Sequence, residues 1–234
     1  MLASPLAITL AVLWLGASAS TVAFFPREVA PSPTGALPEP TQSQQSELER
    51  FMSTAPRIPL AIPNGGAKVL IVKFADYQCP ACGQAFIQYK PVLAKYAASN
   101  PGAVKVVMKD YPLNADCNSG VQRTLHPAAC DAAVAVRLAQ AHNKGEALEE
   151  YFYTHQQEMT PESVRKAAKD IGGVTDFDAK YASTLALVKG DIALGQTLKV
   201  NQTPTFFVNG VKIDGMWAPQ FFDQAIGFEI KRAQ

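Results

Sequence analysis

The sequence has little net charge and no cluster of basic residues. Its 234 residues include 21 Lys and Arg against 20 Asp and Glu, which gives a net charge of +1. Proteins that bind nucleic acids usually present runs or stripes of Lys and Arg to the phosphates. A nucleic acid is therefore not expected as a partner. The length allows one domain with a substantial core and an added element.

Cysteine and histidine are scarce, with four and three residues respectively. His126, His142 and His155 have no nucleophile beside them in the sequence, so we expect solvent-facing or capping roles for them rather than catalysis. Cys79 and Cys82 form a pair without a second matching pair or a nearby His. That makes a poor zinc site, because structural zinc takes four ligands. We expect neither a metal nor another cofactor.

Charged residues are also missing from residues 3–25, which are mostly apolar. About 20 such residues suffice to cross a bilayer as a helix. Three interpretations are open for residues 1–25: a signal peptide cleaved after Ala17-Ser18-Ala19, a retained membrane anchor, or the last span of a longer membrane protein. Each places the rest of the chain outside the cytoplasm, membrane-anchored or secreted, where disulfides persist.

The local patterns predict an α/β fold with a helical insertion. A run at 68–74 that is apolar on both faces is typical of a central strand, and a helix and a second strand at 104–108 follow it. This order favours a right-handed parallel unit. Helical spacing extends over 128–198, and Asn209-Gly210 then predicts a hairpin before a final helix. The first predicted division, residues 26–66, is a linker and edge segment with a short helix at 46–52. The two parts of the core are residues 67–115 and 199–234, and the helical insertion between them is residues 116–198.

The motif Cys79-Pro80-Ala81-Cys82 opens the predicted helix, a position that suits redox chemistry. A helix N-terminus directs unpaired N–H groups and a partial positive charge at the first sulfur, which stabilises its thiolate. Cys79 is therefore the expected nucleophile, and Cys82 would resolve its mixed disulfide with a substrate. Pro80 fits the first turn, where its missing N–H has no helical partner. A structural disulfide and half of a metal site are the alternatives.

Cys117 and Cys130 lie a short distance apart in the sequence, with Pro127 between them. This spacing favours a structural disulfide that closes a loop at the entry to the insertion. The alternatives are two ligands of a metal site, or a shuttle pair that relays electrons to Cys79.

The segment from Phe74 to Cys82, together with Thr203-Pro204 before a predicted strand, resembles the DsbA-like branch of the thioredoxin superfamily. The resemblance covers residues 68–234. It implies a thioredoxin-like fold whose helical insertion caps the active-site face. It also implies a thiol-disulfide oxidoreductase for cysteines of exported proteins. A cis proline at Pro204, with Thr203, would offer backbone groups to the substrate.

Two positions depart from the family pattern and bear on the pKa of the first cysteine. Ala81 stands where many members have His, so one source of thiolate stabilisation is missing. Lys73 stands where a buried acid is common, and Asp76 is the candidate to replace that acid. Lys73 could keep its charge near the sulfurs, place its ammonium at the strand edge, or lose its proton to desolvation.

The segment containing Tyr111, Cys117 and residues 126–131 resembles thioredoxin-like domains that are fused to, or work with, vitamin K epoxide reductase-like membrane proteins. This resemblance implies a quinone-linked membrane protein as redox partner, besides the cysteine-containing exported substrates. The alternative function is a redox-inert or metal-carrying binding module tethered at the membrane. The direction of exchange depends on the reduction potential, which the sequence leaves open.

Overall fold

A mixed four-stranded sheet lies at the centre of the fold. The structure is a computed structural model that describes residues 39–233. Strands β1 (Val69–Ala75) and β2 (Val104–Asp110) are parallel, while β3 (Thr205–Val208) runs antiparallel to β1 and β4 (Val211–Asp214) antiparallel to β3. The strand order is β2-β1-β3-β4.

Strand β1 is buried on both faces along its whole length. Leu70, Val72 and Phe74 point into one half of the core, and Val69 and Ile71 into the other. A central strand needs apolar residues on both faces, because helices cover the sheet on each side. The apolar run therefore predicted the position of this strand in the sheet correctly.

The described residues contain seven α-helices. They are α1 (Gln42–Thr54), α2 (Pro80–Ser99), α3 (Ala129–Gln140), α4 (Gly145–Thr154), α5 (Pro161–Asp170), α6 (Phe177–Thr197) and α7 (Pro219–Arg232). Helices α1, α2 and α7 pack against the face of the sheet that carries Ile71, and α3 and α6 against the face that carries Val72. Helices α3 to α6 lie between β2 and β3 in the chain, so the α/β fold with a helical insertion is confirmed.

The first described helix begins earlier than the sequence analysis predicted. Helix α1 starts at Gln42, because the side chain of Thr41 accepts from the backbone N–H of Gln44 and the Gln44 side chain accepts from the Thr41 N–H. This capping box satisfies two donors at the helix start. Leu48 and Met52 are buried against the core. The segment from 42 to 54 is thus a packed helix within the predicted linker.

The proline-rich segment after α1 forms a single β-bridge, between Arg57 and Val211. The N–H of Ile58 donates to the carbonyl of Gly210 at 2.9 Å. Prolines at 56, 59 and 63 remove further donors, so a regular edge strand does not form.

Within residues 39–233, no helix combines the length and the apolar character that a membrane span requires. The predicted signal peptide or anchor at residues 1–25 lies outside the described residues.

Candidate active site

Cys79 is the N-cap residue of α2, a few residues after the end of β1. Its carbonyl accepts the backbone N–H groups of Cys82 and Gly83 at 3.0 and 3.1 Å. Its extended backbone, with φ −75° and ψ 120°, turns the chain from the sheet into the helix. Pro80 occupies the first turn. Both cysteines are free thiols, and the residue exposure is 6% for Cys79 and 0% for Cys82. Both cysteines are thus buried, and Cys79 is the more accessible of the two residues.

The surroundings of Cys79 favour its thiolate. A hydrogen bond from the Cys82 thiol is the largest cause that lowers the pKa of Cys79, followed by donors at Thr203 and the Cys82 backbone; burial opposes them, and the pKa is about 6. At neutral pH the thiolate is therefore the main form, and the thiolate is the nucleophile in disulfide exchange.

Cys82 has the opposite character. Burial is the main cause that raises its pKa well above the usual value, and the hydrogen bond and charge of Cys79 add to the effect. Cys82 therefore remains a thiol at neutral pH and can donate to Cys79. The motif thus pairs a thiol of lowered pKa at Cys79 with a more deeply buried thiol of raised pKa at Cys82.

The peptide bond between Thr203 and Pro204 is cis, and it lies beside Cys79. In its protonated form, the Cys79 thiol donates to the Thr203 carbonyl, with 3.2 Å between Sγ and O. Strand β3, which follows this bond, pairs with β1, and that pairing brings the two segments together.

Lys73 lies on β1 and is 8% exposed. Its Nζ lies 4.8 Å from the centre of the Tyr153 ring, a cation–π distance. Strand β1 lies between β2 and β3, and the ammonium of Lys73 contacts the Tyr153 ring. Burial lowers the pKa of Lys73, and the charges of Cys82 and Glu149 oppose that effect. Lys73 is thus coupled more strongly to Cys82 than to Cys79.

Asp76 is buried at the end of β1 and holds two segments together. Its Oδ1 accepts the backbone N–H of Gln78 at 2.7 Å, and its Oδ2 accepts that of Leu113, also at 2.7 Å. The negative charge of Asp76 raises the pKa of Cys79. It therefore disfavours the Cys79 thiolate rather than supporting it.

His126 reaches the same carboxylate, which the sequence analysis did not foresee. Its Nδ1 lies 2.7 Å from Oδ2 of Asp76, and its side chain is 17% exposed. The hydrogen bond to Asp76 raises the pKa of His126, and the charges of Asp76 and Cys79 act in the same direction against burial. No local pattern points to this contact, because the two residues are 50 positions apart.

A disulfide between Cys117 and Cys130 closes the loop that carries His126. The two cysteines are 6% and 2% exposed. Asn114, just before the loop, donates from its side chain to the Pro127 carbonyl at 3.0 Å. The Leu113 carbonyl accepts the backbone N–H of His126 at 3.2 Å. The loop is therefore fixed by one covalent bond and by several hydrogen bonds.

Two glutamines that the sequence analysis did not identify connect the motif to the insertion. The Gln156 side chain donates to the carbonyls of Tyr77 and Cys79 at 2.8 and 2.7 Å. The Gln78 side chain accepts the backbone N–H of Ala128 at 2.9 Å. Both glutamines bridge segments that are distant in the sequence, so their polar character alone did not reveal this role.

A metal site is not apparent in the described part of the chain. Residues 39–233 contain no group of three or more His, Cys, Asp and Glu side chains arranged to hold an ion.

Most of the described chain is similar to known proteins. A family model described as Thioredoxin matches residues 59–227. The Na(+)/H(+) antiporter NhaA 1 of Mycobacterium sp. (strain KMS) is 28% identical over 156 residues, which are 64% of this chain and 23% of that protein. The chain thus spans less than a quarter of the length of this curated relative.

Two solved structures resemble the fold. One is alpha-DsbA1 of Wolbachia pipientis, with a TM-score of 0.56, 15% identity, and coverage of 75% of this chain and 94% of that chain. The other is a thioredoxin-like oxidoreductase from Silicibacter pomeroyi, with a TM-score of 0.54, 21% identity, and coverage of 76% and 95%. At these identities the likeness concerns the fold.

Proposed function

We propose that this chain, which belongs to the thioredoxin family, is a thiol-disulfide oxidoreductase that acts on cysteines of exported proteins. Its resemblance to DsbA-like proteins holds at the level of the fold. The observation that carries the proposal is the contrast between the two free thiols. Cys79 has a pKa of about 6 at the start of a helix, whereas Cys82 is fully buried and its pKa is raised.

In the oxidising direction, the protein begins with a disulfide between Cys79 and Cys82. A substrate thiolate attacks Sγ of Cys79, the S–S bond breaks, and Cys82 leaves with the electron pair and takes up a proton. A second substrate thiolate then attacks the substrate sulfur of the mixed disulfide, and Cys79 leaves as a thiolate. The substrate loses two electrons and the protein gains them. A low pKa makes Cys79 a good leaving group in the second step.

Thr203 and Pro204 are the proposed substrate-binding residues. The Thr203 carbonyl lies 3.2 Å from Sγ of Cys79, so a peptide that reaches this sulfur also meets the backbone on either side of the cis bond. Main-chain groups can bind many different sequences, which suits an enzyme that handles varied substrates.

We propose an extracytoplasmic location and a membrane redox partner. The disulfide between Cys117 and Cys130 supports the location, because such bonds persist in oxidising compartments. The proposed partner is a quinone-linked protein resembling vitamin K epoxide reductase, and its support is the resemblance of the segment from Tyr111 to Asp131. Such a partner would restore the disulfide by accepting two electrons.

The test is a pair of serine variants of the full chain, each incubated with a disulfide-containing protein in its unfolded form. Cys82→Ser keeps the nucleophile and lacks the resolving thiol, so it should accumulate mixed disulfides that are visible on non-reducing gels. The matched variant Cys79→Ser should form none and should have no turnover. If alkylation of the reduced wild-type protein labels Cys82 faster than Cys79, these roles are wrong.

A further inference from the structure

The loop that carries His126 is built around Asp76. The Leu113 N–H donates to Oδ2 of Asp76 at 2.7 Å, and the Leu113 carbonyl accepts the His126 N–H at 3.2 Å. One peptide segment therefore contacts both members of the pair. The disulfide between Cys117 and Cys130 closes the same loop and limits how far His126 can move from the carboxylate.

Asp76 is also joined to the nucleophile. Its carbonyl accepts the backbone N–H of Cys79 at 3.2 Å, and its Oδ1 accepts the N–H of Gln78 at 2.7 Å. Both carboxylate oxygens of Asp76 thus accept backbone N–H groups, and the charge of Asp76 raises the pKa of Cys79. Asp76 therefore places a buried negative charge within one turn of a sulfur that must itself become negative.

Like charges oppose each other strongly where water is excluded. The imidazole of His126 is the cationic partner available to this carboxylate, because the Asp76 side chain is 0% exposed and its remaining contacts are neutral backbone groups. When His126 is protonated, the pair with Asp76 is neutral overall. The nucleophile then no longer faces an uncompensated charge.

We propose that His126 is a positioning residue that acts through Asp76 to keep the Cys79 thiolate stable. This inference rests on the proposed function and identifies a residue that tunes it. The groups that act on His126 are Asp76 and Cys79, and the effect of Cys79 on the pKa of His126 is reciprocal. The motif itself contains no cationic residue, because the position between Pro80 and Cys82 is occupied by Ala81. In this arrangement a histidine from the insertion supplies the cation.

The experiment is a double-mutant cycle on the full chain, with His126→Gln, Asp76→Asn and the double variant. Glutamine can still donate a hydrogen bond to Asp76 but carries no charge, so the pKa of Cys79 should rise in His126→Gln. A rise of about one pH unit would cut the thiolate fraction near pH 6 roughly fivefold, as read from thiolate absorbance and from alkylation rates. The exposed His142→Gln is the matched control and should titrate like wild type.

The double variant separates electrostatics from simple packing. Without the carboxylate there is no charge to compensate, so His126→Gln should have little effect in the Asp76→Asn background. Equal effects of His126→Gln in both backgrounds, or an unchanged pKa of Cys79 in the single variant, would overturn the proposal. Urea unfolding of each variant shows whether the fold is retained.

A trapping assay in the Cys82→Ser background keeps the two proposals distinguishable. If His126→Gln leaves the pKa of Cys79 unchanged but mixed disulfides still form, only the role of His126 fails. If the wild-type motif forms no mixed disulfides, the oxidoreductase assignment itself fails.

Discussion

The low pKa of Cys79 should produce a break in the pH dependence of the reduction potential. Reduction of the disulfide takes up two protons when both thiols are protonated, but one when Cys79 remains a thiolate. A tenfold change in a two-electron equilibrium corresponds to about 30 mV, so the potential should fall by about 59 mV per pH unit in the first regime and by about 30 mV in the second. The break should lie at a pH of about 6, the pKa of Cys79.

The free energy by which the low pKa of Cys79 stabilises the reduced protein depends on pH. The shift of the pKa from 9.0 to about 6 is worth about 4 kcal/mol when the thiol in the unfolded chain is also ionised. At neutral pH an ordinary thiol stays protonated, whereas Cys79 is ionised in a ratio of about ten to one. The reduced form therefore gains only about 1.4 kcal/mol there, which makes the disulfide about 30 mV more oxidising.

The sign of the linked stability change follows from the direction of the shift. A depressed pKa means that the folded, reduced protein binds fewer protons than the unfolded chain between pH 6 and 9. This contribution to the stability of the reduced form is therefore fully present above pH 9.0 and is lost progressively as the pH falls from 9.0 to about 6.

The assay combines the reduction potential of the wild type with the pKa of Cys79 in two variants of Cys82, the residue whose thiol donates to Cys79. Equilibrium with glutathione across the pH range gives the potential of the wild type, and thiolate absorbance gives the pKa of Cys79. Because the Cys82 thiol is the largest cause of the low pKa, Cys82→Ala should raise the pKa of Cys79 towards its ordinary value. Cys82→Ser retains a hydroxyl donor and should show a smaller rise.

Two results would refute the reasoning. One is a potential that changes with a single slope through pH 6. The other is a pKa of about 6 for Cys79 in both variants, which would mean that the Cys82 thiol is not the cause of the shift.

Two further predictions concern residues behind the motif and in the loop. Lys73→Met should raise the pKa of Cys82 more than that of Cys79, because a charged Lys73 favours the thiolates of the reduced form. For the same reason the variant should have a lower reduction potential. An unchanged thiolate titration would mean that Lys73 is a neutral packing residue. Replacing both Cys117 and Cys130 with serine should lower the free energy of unfolding in urea by up to about 3 kcal/mol, because the unfolded chain is no longer closed into a loop. Unchanged stability with lost turnover toward the membrane partner would instead favour the shuttle role, although both cysteines are buried.

Local patterns in the sequence were sufficient for the elements that depend on near neighbours. The apolar run of β1 predicted a central strand, and Asn209-Gly210 predicted the hairpin of β3 and β4. The start of α1 was missed although Thr41 and Gln44 form a recognisable capping box, because the surrounding proline-rich and polar composition favoured a linker. These features rest on contacts within a few residues, where spacing and residue type carry the information.

The spacing and residue types of the motif predicted Cys79 at a helix start, a position that favours its thiolate, with Cys82 one turn further on. The surroundings of the two cysteines became visible only in the folded chain: Asp76 with His126, Gln156 on the Cys79 carbonyl, and Lys73 over the ring of Tyr153. The first two contacts join residues 50 and 77 positions apart. Periodicity shows which face of an element is buried, but not which distant side chain the fold brings to that face. Because the pKa of a buried group depends on the charges and donors that surround it, the tuning of this site follows from the packing of the insertion against the core.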